Sequence, residues 1–448
     1  MSSCAPPSIE RMRRVLIVSP HFPPVNAPDM QRVRLALPHL RACGWEPVVL
    51  AVVPEMVEGA VLDPLLEKTY PADISVVRVR GVSPRLTRAF RFGSLWLRCG
   101  AALRRAGERL LREERFDLVF FSTTQFDAFS LGPRWRARFG VPYVLDYQDP
   151  WVNDHYRRTG LRPPGGALKF WLSQFTARRR EPAALRDAAR IVSVSAAYGP
   201  ELRTRHRELA SDAVLHIPFG AEPGDLEIAR SLPPPSYPLV PEDDGNRHYV
   251  YVGRCGDDMV PALTLLFRAF RLYREAAPAA AARMRFHFLG TDYAPPPLAR
   301  PRALPVAERE GVADHVSEHP RRIPYFEALR YLARADALVL VGSDDPGYSA
   351  SKTFPYLFAR RPLLTLAHEG SLMLELARSR GIATSYGFSA DRNRNDPIAS
   401  RVHREWFADG GDRTLPSSDL SALSDHTAAA MARRLSTVFD QVRTTATP

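Results

Sequence analysis

The chain has 448 residues, which at roughly 150 residues per domain implies two or three domains and more than one buried core. Its 45% hydrophobic and 25% charged residues exclude a wholly disordered or fibrous chain, and four cysteines (Cys4, Cys43, Cys99, Cys255) with no CxxC give neither a disulfide framework nor a zinc site. The net charge of +12 would suit a polyanionic partner, but of 61 basic residues only Lys68, Lys169 and Lys352 are lysines, alongside 41 prolines; this bias points to GC-rich coding, and no nucleic-acid-binding module is present.

In chain order, residues 14–19 (RVLIVS) read as a buried strand, and residues 30–43 as a helix closed by Gly44. Strands follow at 47–53, 74–79, 118–121, 142–145 and 191–194, with helical stretches at 95–114 and 126–139. Strands separated by helices of this length imply right-handed βαβ units and a parallel sheet. From 231 to 246 (SLPPPSYPLVPEDDGN) proline and acidic residues replace the periodic pattern, as in a linker. The alternation restarts with strands at 248–252, 285–289, 337–341 and 363–366 and helices at 263–274, 325–333 and 352–359. A polar stretch from 401 precedes a last helix near 424–442. The expected fold class is therefore α/β, with two doubly wound parallel-sheet domains in tandem: residues 1–230, a linker at 231–246, residues 247–400, and a tail at 401–448. No window reaches about 18 apolar residues, and the N-terminus lacks a signal peptide's apolar region, so a chain that neither spans a membrane nor is secreted is expected, in a reducing, cytosolic compartment.

Four segments carry chemistry. The first strand runs into SPHFPPVNAPDMQR (19–32), where an open parallel sheet gathers ligands above its strand ends. The strand in VPYVLDYQDPW (141–151) places Asp146 and Asp149 at or just past its end, beside Trp151. Carboxylates there can take a proton from a substrate hydroxyl and an indole can stack on a sugar, whereas the plainer reading makes both aspartates turn residues. In YVYVGRCGDDM (249–259) a strand, a glycine turn and a helix start put Gly253 and Arg254 where a backbone can approach phosphate oxygens. In VLVGSDDPGYSASKTFPYLFARRPLL (341–364), Ser349 or Ser351 can cap a short helix, with Lys352 in its first turn beside Asp344 and Asp345. A lysine is unfavourable at a helix N-terminus, and a nearby anion would explain it. Residues 85–115 add nine arginines and three glutamates with interleaved Phe90, Phe92, Leu95, Trp96 and Leu97. That stretch could lie on anionic lipid, or its apolar stripe could simply pack on the protein. HExxH, GxSxG, GxxxxGK[ST] and DxD are all absent, so zincin, common serine hydrolase, P-loop and metal-dependent DxD readings lose their signatures.

Taken together these segments, with EPAALRDAARIVSVSAAYGPEL (181–202), HIPFGAE ending at Ala221 and Glu222, and ADALVLVGS, resemble glycosyltransferase family 4 over most of residues 14–385. The resemblance implies a GT-B fold, two Rossmann-like domains facing across a cleft, with the C-terminal helix crossing back to the first domain. It implies a retaining transfer from a nucleotide diphosphate sugar, a co-substrate held by the C-terminal domain, to a hydroxyl acceptor held by the N-terminal domain, with no metal and no further cofactor. Arg254 matches the arginine that holds the donor diphosphate, and Ser351 and Lys352 match the SK of the PSKxxEY loop. The expected donor contacts are thus Arg254, Gly253, Lys352, Ser351 and Ser349, with Asp344 or Asp345 standing in for a missing glutamate. Asp149 and Asp146 are the expected catalytic carboxylates, and Trp151 and Asn26 the acceptor contacts. The family's paired glutamates fall on Gly347 and Pro355, the lysine following Arg254 is absent, and VNAP (25–28) replaces the Gly-Gly loop. The expected setting is bacterial surface polysaccharide or glycolipid synthesis, on a saccharide or lipid-linked acceptor, with contact to anionic membrane at its inner face through residues 85–115 and no nucleic acid. A sugar-nucleotide 2-epimerase and a catalytically inactive GT-B scaffold are the alternatives.

Overall fold

The computed structural model describes residues 11–84, 86, 94–153, 167–233, 238–292, 294, 298–346, 352–379, 384–389, 396–413 and 421–445. Two wholly parallel sheets organise them. The first joins β1 (Arg13–Val18), β2 (Trp45–Val52), β3 (Ser75–Val79), β4 (Leu118–Ser122), β5 (Tyr143–Tyr147), β6 (Arg190–Ser193) and β7 (Val214–His216) in the order β3-β2-β1-β4-β5-β6-β7. The second joins β8 (Arg247–Val252), β9 (Met284–Leu289), β10 (Val316–His319), β11 (Ala337–Val341), β12 (Leu363–His368) and β13 (Thr384–Phe388) in the order β10-β9-β8-β11-β12-β13. The fold is α/β and GT-B. Both orders reverse once, between β1 and β4 and between β8 and β11, and such switch points open a crevice at the strand C-termini.

Central strands such as β1 and β11 are apolar on both faces because helices cover both: Val15 to Val18 and Ala337 to Val341 are all buried. The helices used below are α1 (Gln31–Leu40), α2 (Leu95–Glu113), α3 (Leu131–Phe139), α4 (Ala167–Arg186), α5 (Pro223–Ser231), α6 (Val260–Ala276), α7 (Tyr325–Arg334), α8 (Thr353–Phe358) and α9 (Ala428–Thr445). After α1 the chain stops helical winding at Gly44, whose φ of 81° only glycine adopts without strain. The stretch expected as one helix over 126–139 divides into a 3-10 turn, Phe126–Ser130, and α3. Pro133 lacks the N–H that would bond back to residue 129, so α3 cannot extend backwards. Edge strands β7, β10 and β13 carry too short or too polar a pattern to be read from sequence.

One face of the first sheet is covered by α2, α3 and α4, the other by α1 and α9. Met431, Leu435, Val438 and Phe439 of α9 pack with Val33, Leu37 and Trp45, and Trp45 Nε1 donates to Asp440 at 2.9 Å. Helix α5 precedes the proline-rich stretch yet buries Leu226 and Ala229 in the core of the second sheet, so the passage from one packing unit to the next begins ahead of the compositional break. The two units are fastened by buried polar contacts. Arg34 of α1 and Tyr325 of α7 both bond Asp225 of α5, at 2.8 and 2.9 Å, and Phe326 N donates to Asp63 at 2.9 Å.

Only part of the basic stretch 85–115 is described. Residues 85 and 87–93, including Phe90 and Phe92, lie outside the described residues. On α2, Leu95, Cys99, Leu103, Leu110 and Leu111 are buried in the core, because an amphipathic helix beside a sheet turns its apolar stripe inward. Among the described residues no helix is long and apolar enough to cross a membrane.

Candidate functional site

At the first switch point the chain leaves β1 through Ser19, Pro20 and His21, leaves β4 through Thr123 and Thr124, and leaves β5 through Gln148 and Asp149. These loops are bound into one unit by Asp29, which is 3% exposed. Its Oδ1 lies 2.9 Å from His21 Nδ1, and its Oδ2 accepts from Thr123 Oγ1 and Thr124 N at 3.0 Å each. Gln148 Nε2 donates to the Asp29 carbonyl at 3.0 Å. Burial disfavours both ionised forms, but the pairing outweighs it, raising the His21 pKa and lowering that of Asp29. Sequence reading did not single out either residue. The available signal was a histidine just past the first strand with a carboxylate eight positions on.

Asp149 is open to solvent at this rim. Protein nonetheless crowds its carboxyl, and the lost hydration, followed by the Asp29 charge, raises its pKa to about 6. A carboxylate so poised can exchange a proton with a hydroxyl near neutral pH.

Three expected acceptor-side residues do other work. Asp146 is fully buried, three positions earlier, on the opposite pleat from Leu145 and Tyr147. There α1 crosses the sheet, and Arg32 Nε and Ser122 Oγ each donate to Asp146 Oδ2 at 2.8 Å, as does Gln148 Nε2. Asp146 is thus a structural anchor that positions Gln148 rather than a carboxylate within reach of substrate. Trp151 is 7% exposed, because Pro150 turns the chain and drops the indole onto Phe126 and Phe129, with ring centroids 6.0 and 5.7 Å away; no indole face is left for a sugar. Asn26 is 8% exposed and ties the units together, its Nδ2 donating to the Ile323 carbonyl at 3.3 Å while Arg322 donates to the Asn26 carbonyl at 3.2 Å.

At the second switch point the residues beyond β8 and β11 converge. Gly253 has φ 140°, and a Cβ there would stand 3.2 Å from Lys352 Cδ, so both the turn and the lysine's path require glycine. Lys352 sits with Nζ 4.5 Å from the centroid of the Tyr251 ring and donates to that tyrosine's hydroxyl. Burial holds its pKa down to about 8. Arg254 is clasped by Asp258 through two bonds, Nη1 to Oδ1 at 2.8 Å and Nη2 to Oδ2 at 2.7 Å. A side chain at Gly256 would strike both partners of that clasp. Asp344 N donates to the Asp258 carbonyl at 2.8 Å, and burial followed by the Asp258 charge raises the Asp344 pKa. Asp345 N is held by Ser343 Oγ at 3.0 Å. Ser349, Ser351 and Gly347 lie outside the described residues, whereas Pro355 occupies the first turn of α8. Asp258, as the partner of Arg254, is the third site residue, after His21 and Asp29, whose role sequence reading missed. Among the described residues no three His, Cys, Asp or Glu side chains converge as metal ligands.

Residues 31–220 match the model of the glycosyl transferase 4-like domain. No curated protein matches the chain. Among solved structures, a UDP-forming α,α-trehalose-phosphate synthase from Burkholderia vietnamiensis superposes with a TM-score of 0.62 at 14% identity, covering 98% of this chain and 99% of that one. Sucrose-phosphate synthase from Thermosynechococcus elongatus gives 0.59 at 14% identity, covering 97% and 100%. HepE from Anabaena, in complex with UDP-glucose, gives 0.53 at 13% identity, covering 96% and 98%. At these identities the likeness is one of fold.

Proposed function

We propose that this chain, whose residues 31–220 match a glycosyl transferase 4-like domain and whose fold is GT-B, moves a sugar from a nucleotide diphosphate sugar to a hydroxyl acceptor, with retention and without a metal. The observation that carries this reading is the meeting of Gly253, Arg254 and Lys352 at the second switch point. Two cations beside a side-chain-free turn suit a diphosphate. The anomeric carbon–oxygen bond breaks toward the diphosphate, and Lys352 and Arg254 neutralise the charge that develops there. Arg254 meets the phosphate by exchanging its contact with Asp258. On the other unit, Asp149 takes the proton of the acceptor hydroxyl as the new carbon–oxygen bond forms. The donor proposed is a UDP-sugar, the class named with the neighbouring folds, and the setting surface polysaccharide or glycolipid assembly.

Removing a charged hydrogen bond to the diphosphate costs about 1.5–3 kcal/mol, so Lys352→Ala or Arg254→Ala should weaken UDP-glucose binding roughly tenfold or more. The melting temperature should barely move. Unchanged affinity of both variants by calorimetry would discard the cradle.

Because the protonated lysine is the anion-binding form and burial holds its pKa to about 8, wild-type affinity should fall as pH rises through 8. Lys352→Ala should flatten that dependence. An unflattened profile would remove Lys352 from the site.

Two observations favour a second reading. Asp258 already satisfies Arg254, and Pro355 stands where the family has a glutamate, so a nucleotide-sugar-binding protein without transfer would show the same cradle. Release of UDP from UDP-glucose that depends on an added acceptor separates the two.

A further inference from the structure

The first half of α4 presents Leu168, Trp171, Leu172 and Phe175 to solvent, with exposures of 74%, 62%, 51% and 43%. Their spacing of three, four and seven places them on one helical stripe. The stripe is not an unused core face. Ala177, Glu181, Ala184 and Leu185 form the inward face of the same helix, all at most 2% exposed, and at 100° per residue they lie on roughly the opposite side. The Trp171 and Phe175 rings stack at 5.7 Å, and Arg179 lies over Phe175 at 4.2 Å, so the stripe is ordered apolar surface with a basic border. Soluble proteins seldom leave such a contiguous patch open without a partner.

The charge bordering the stripe selects the partner. Arg178, Arg179, Arg180 and Arg186 are exposed on α4, whereas its one acid, Glu181, is buried against His206 at 2.9 Å. Arg180 reaches Asp127 at 2.5 Å and Arg178 is engaged as well; the charges that continue the apolar stripe are Arg179 and Arg186. Leucine and tryptophan on one face with arginine along its continuation is the composition of a helix lying in the interface of an anionic bilayer. A protein partner of matching acidity would be a weaker fit, because the stripe carries an exposed indole, the side chain that prefers the headgroup boundary.

We infer that the outer face of α4 is a docking surface for an anionic lipid bilayer. The helix is coupled to the first switch point, since Gln174 Oε1 accepts from Asn153 N at 2.8 Å and Gln174 Nε2 donates to the Trp151 carbonyl at 3.3 Å. Docking therefore holds the segment just past Asp149 at the bilayer surface, where a hydroxyl acceptor carried on a lipid would be met. The lipid contact itself stands independently of the transferase reading.

The test is sedimentation of the full chain with vesicles of phosphatidylcholine alone, or with about one third phosphatidylglycerol. The wild type should bind the anionic vesicles at least about tenfold more tightly than the neutral ones, and added salt should weaken that binding. The double variant Trp171→Ser with Leu172→Ser should lose about tenfold or more of the anionic binding. Its melting temperature and UDP-glucose affinity should match the wild type, because both side chains are exposed and far from Lys352 in the chain. Failure of the variant to lose binding, or absence of wild-type binding to either vesicle, would overturn the inference. A concentration-dependent self-association abolished by the variant would overturn it too, assigning the stripe to a second copy of the chain. Donor affinity is a separate readout, so loss of the docking surface and loss of the transferase reading are told apart.

Discussion

Asp149→Asn should leave UDP-glucose affinity intact and lower sugar transfer by about 10² to 10⁴, the range for loss of a general base. The two readouts separate because Lys352 and Arg254 stand beyond the strands of the second sheet and Asp149 beyond β5 of the first. Asparagine keeps the shape of the turn before Pro150 and removes only the proton acceptor. The pH profile provides a second, independent mark. With its pKa raised to about 6 by lost hydration and the Asp29 charge, Asp149 is the required carboxylate above pH 6 and is protonated below it, so wild-type transfer should fall as pH drops through 6. Asp149→Asn should lack that limb. Transfer at the wild-type rate by Asp149→Asn would make Asp149 a turn residue, and His21, held by Asp29 at the same rim, the next group to vary. A wild-type chain that binds UDP-glucose and transfers to no acceptor would instead favour the binding protein over the enzyme.

Arg32→Ala should destabilise the N-terminal unit by about 3–5 kcal/mol, the cost of stranding one partner of a buried ion pair. Both Arg32 and Asp146 are fully inaccessible, and the pair is surrounded by bonds that depend on it: Arg32 Nη2 donates to the Ile217 carbonyl at 2.7 Å, and Ser122 and Gln148 both use Asp146 Oδ2. Replacing both partners with apolar residues, as in Arg32→Met with Asp146→Leu, should recover much of the loss, since no charge is then left buried. Urea unfolding of the single and double variants measures this directly. A loss under about 1 kcal/mol in Arg32→Ala would mean that the carboxylate is satisfied without the arginine, and would reopen Asp146 as a group available to chemistry.

What the sequence by itself determined is what the backbone's own periods encode. Continuous apolar runs marked the central strands, Gly44 marked the end of the α1 segment, and the second start of strand–helix alternation marked a second parallel sheet. Gly253 and Lys352 stood out for the same reason, and the fold brings the two into contact: each is unusual for its immediate surroundings, a glycine straight after a strand and a rare lysine where a helix dipole disfavours it. Tertiary structure alone decided between residues that look alike locally. Asp146 and Asp149 are two acids at one strand end, yet strand parity sends the first under α1 onto Arg32, 114 positions away in sequence, and the second out to the rim. Trp151 reads as a stacking platform until its faces meet Phe126 and Phe129, and Asn26 as a loop residue until it meets Ile323, 297 positions on. The stripe of α4 shows the same limit in reverse, since spacing of three and four normally means a core face, and here the face at 177, 181, 184 and 185 has already taken the sheet. Periodicity is a property of neighbouring dihedrals and survives in any context, whereas which face is covered, and by whose charge, depends on chain segments hundreds of residues apart arriving at the same place.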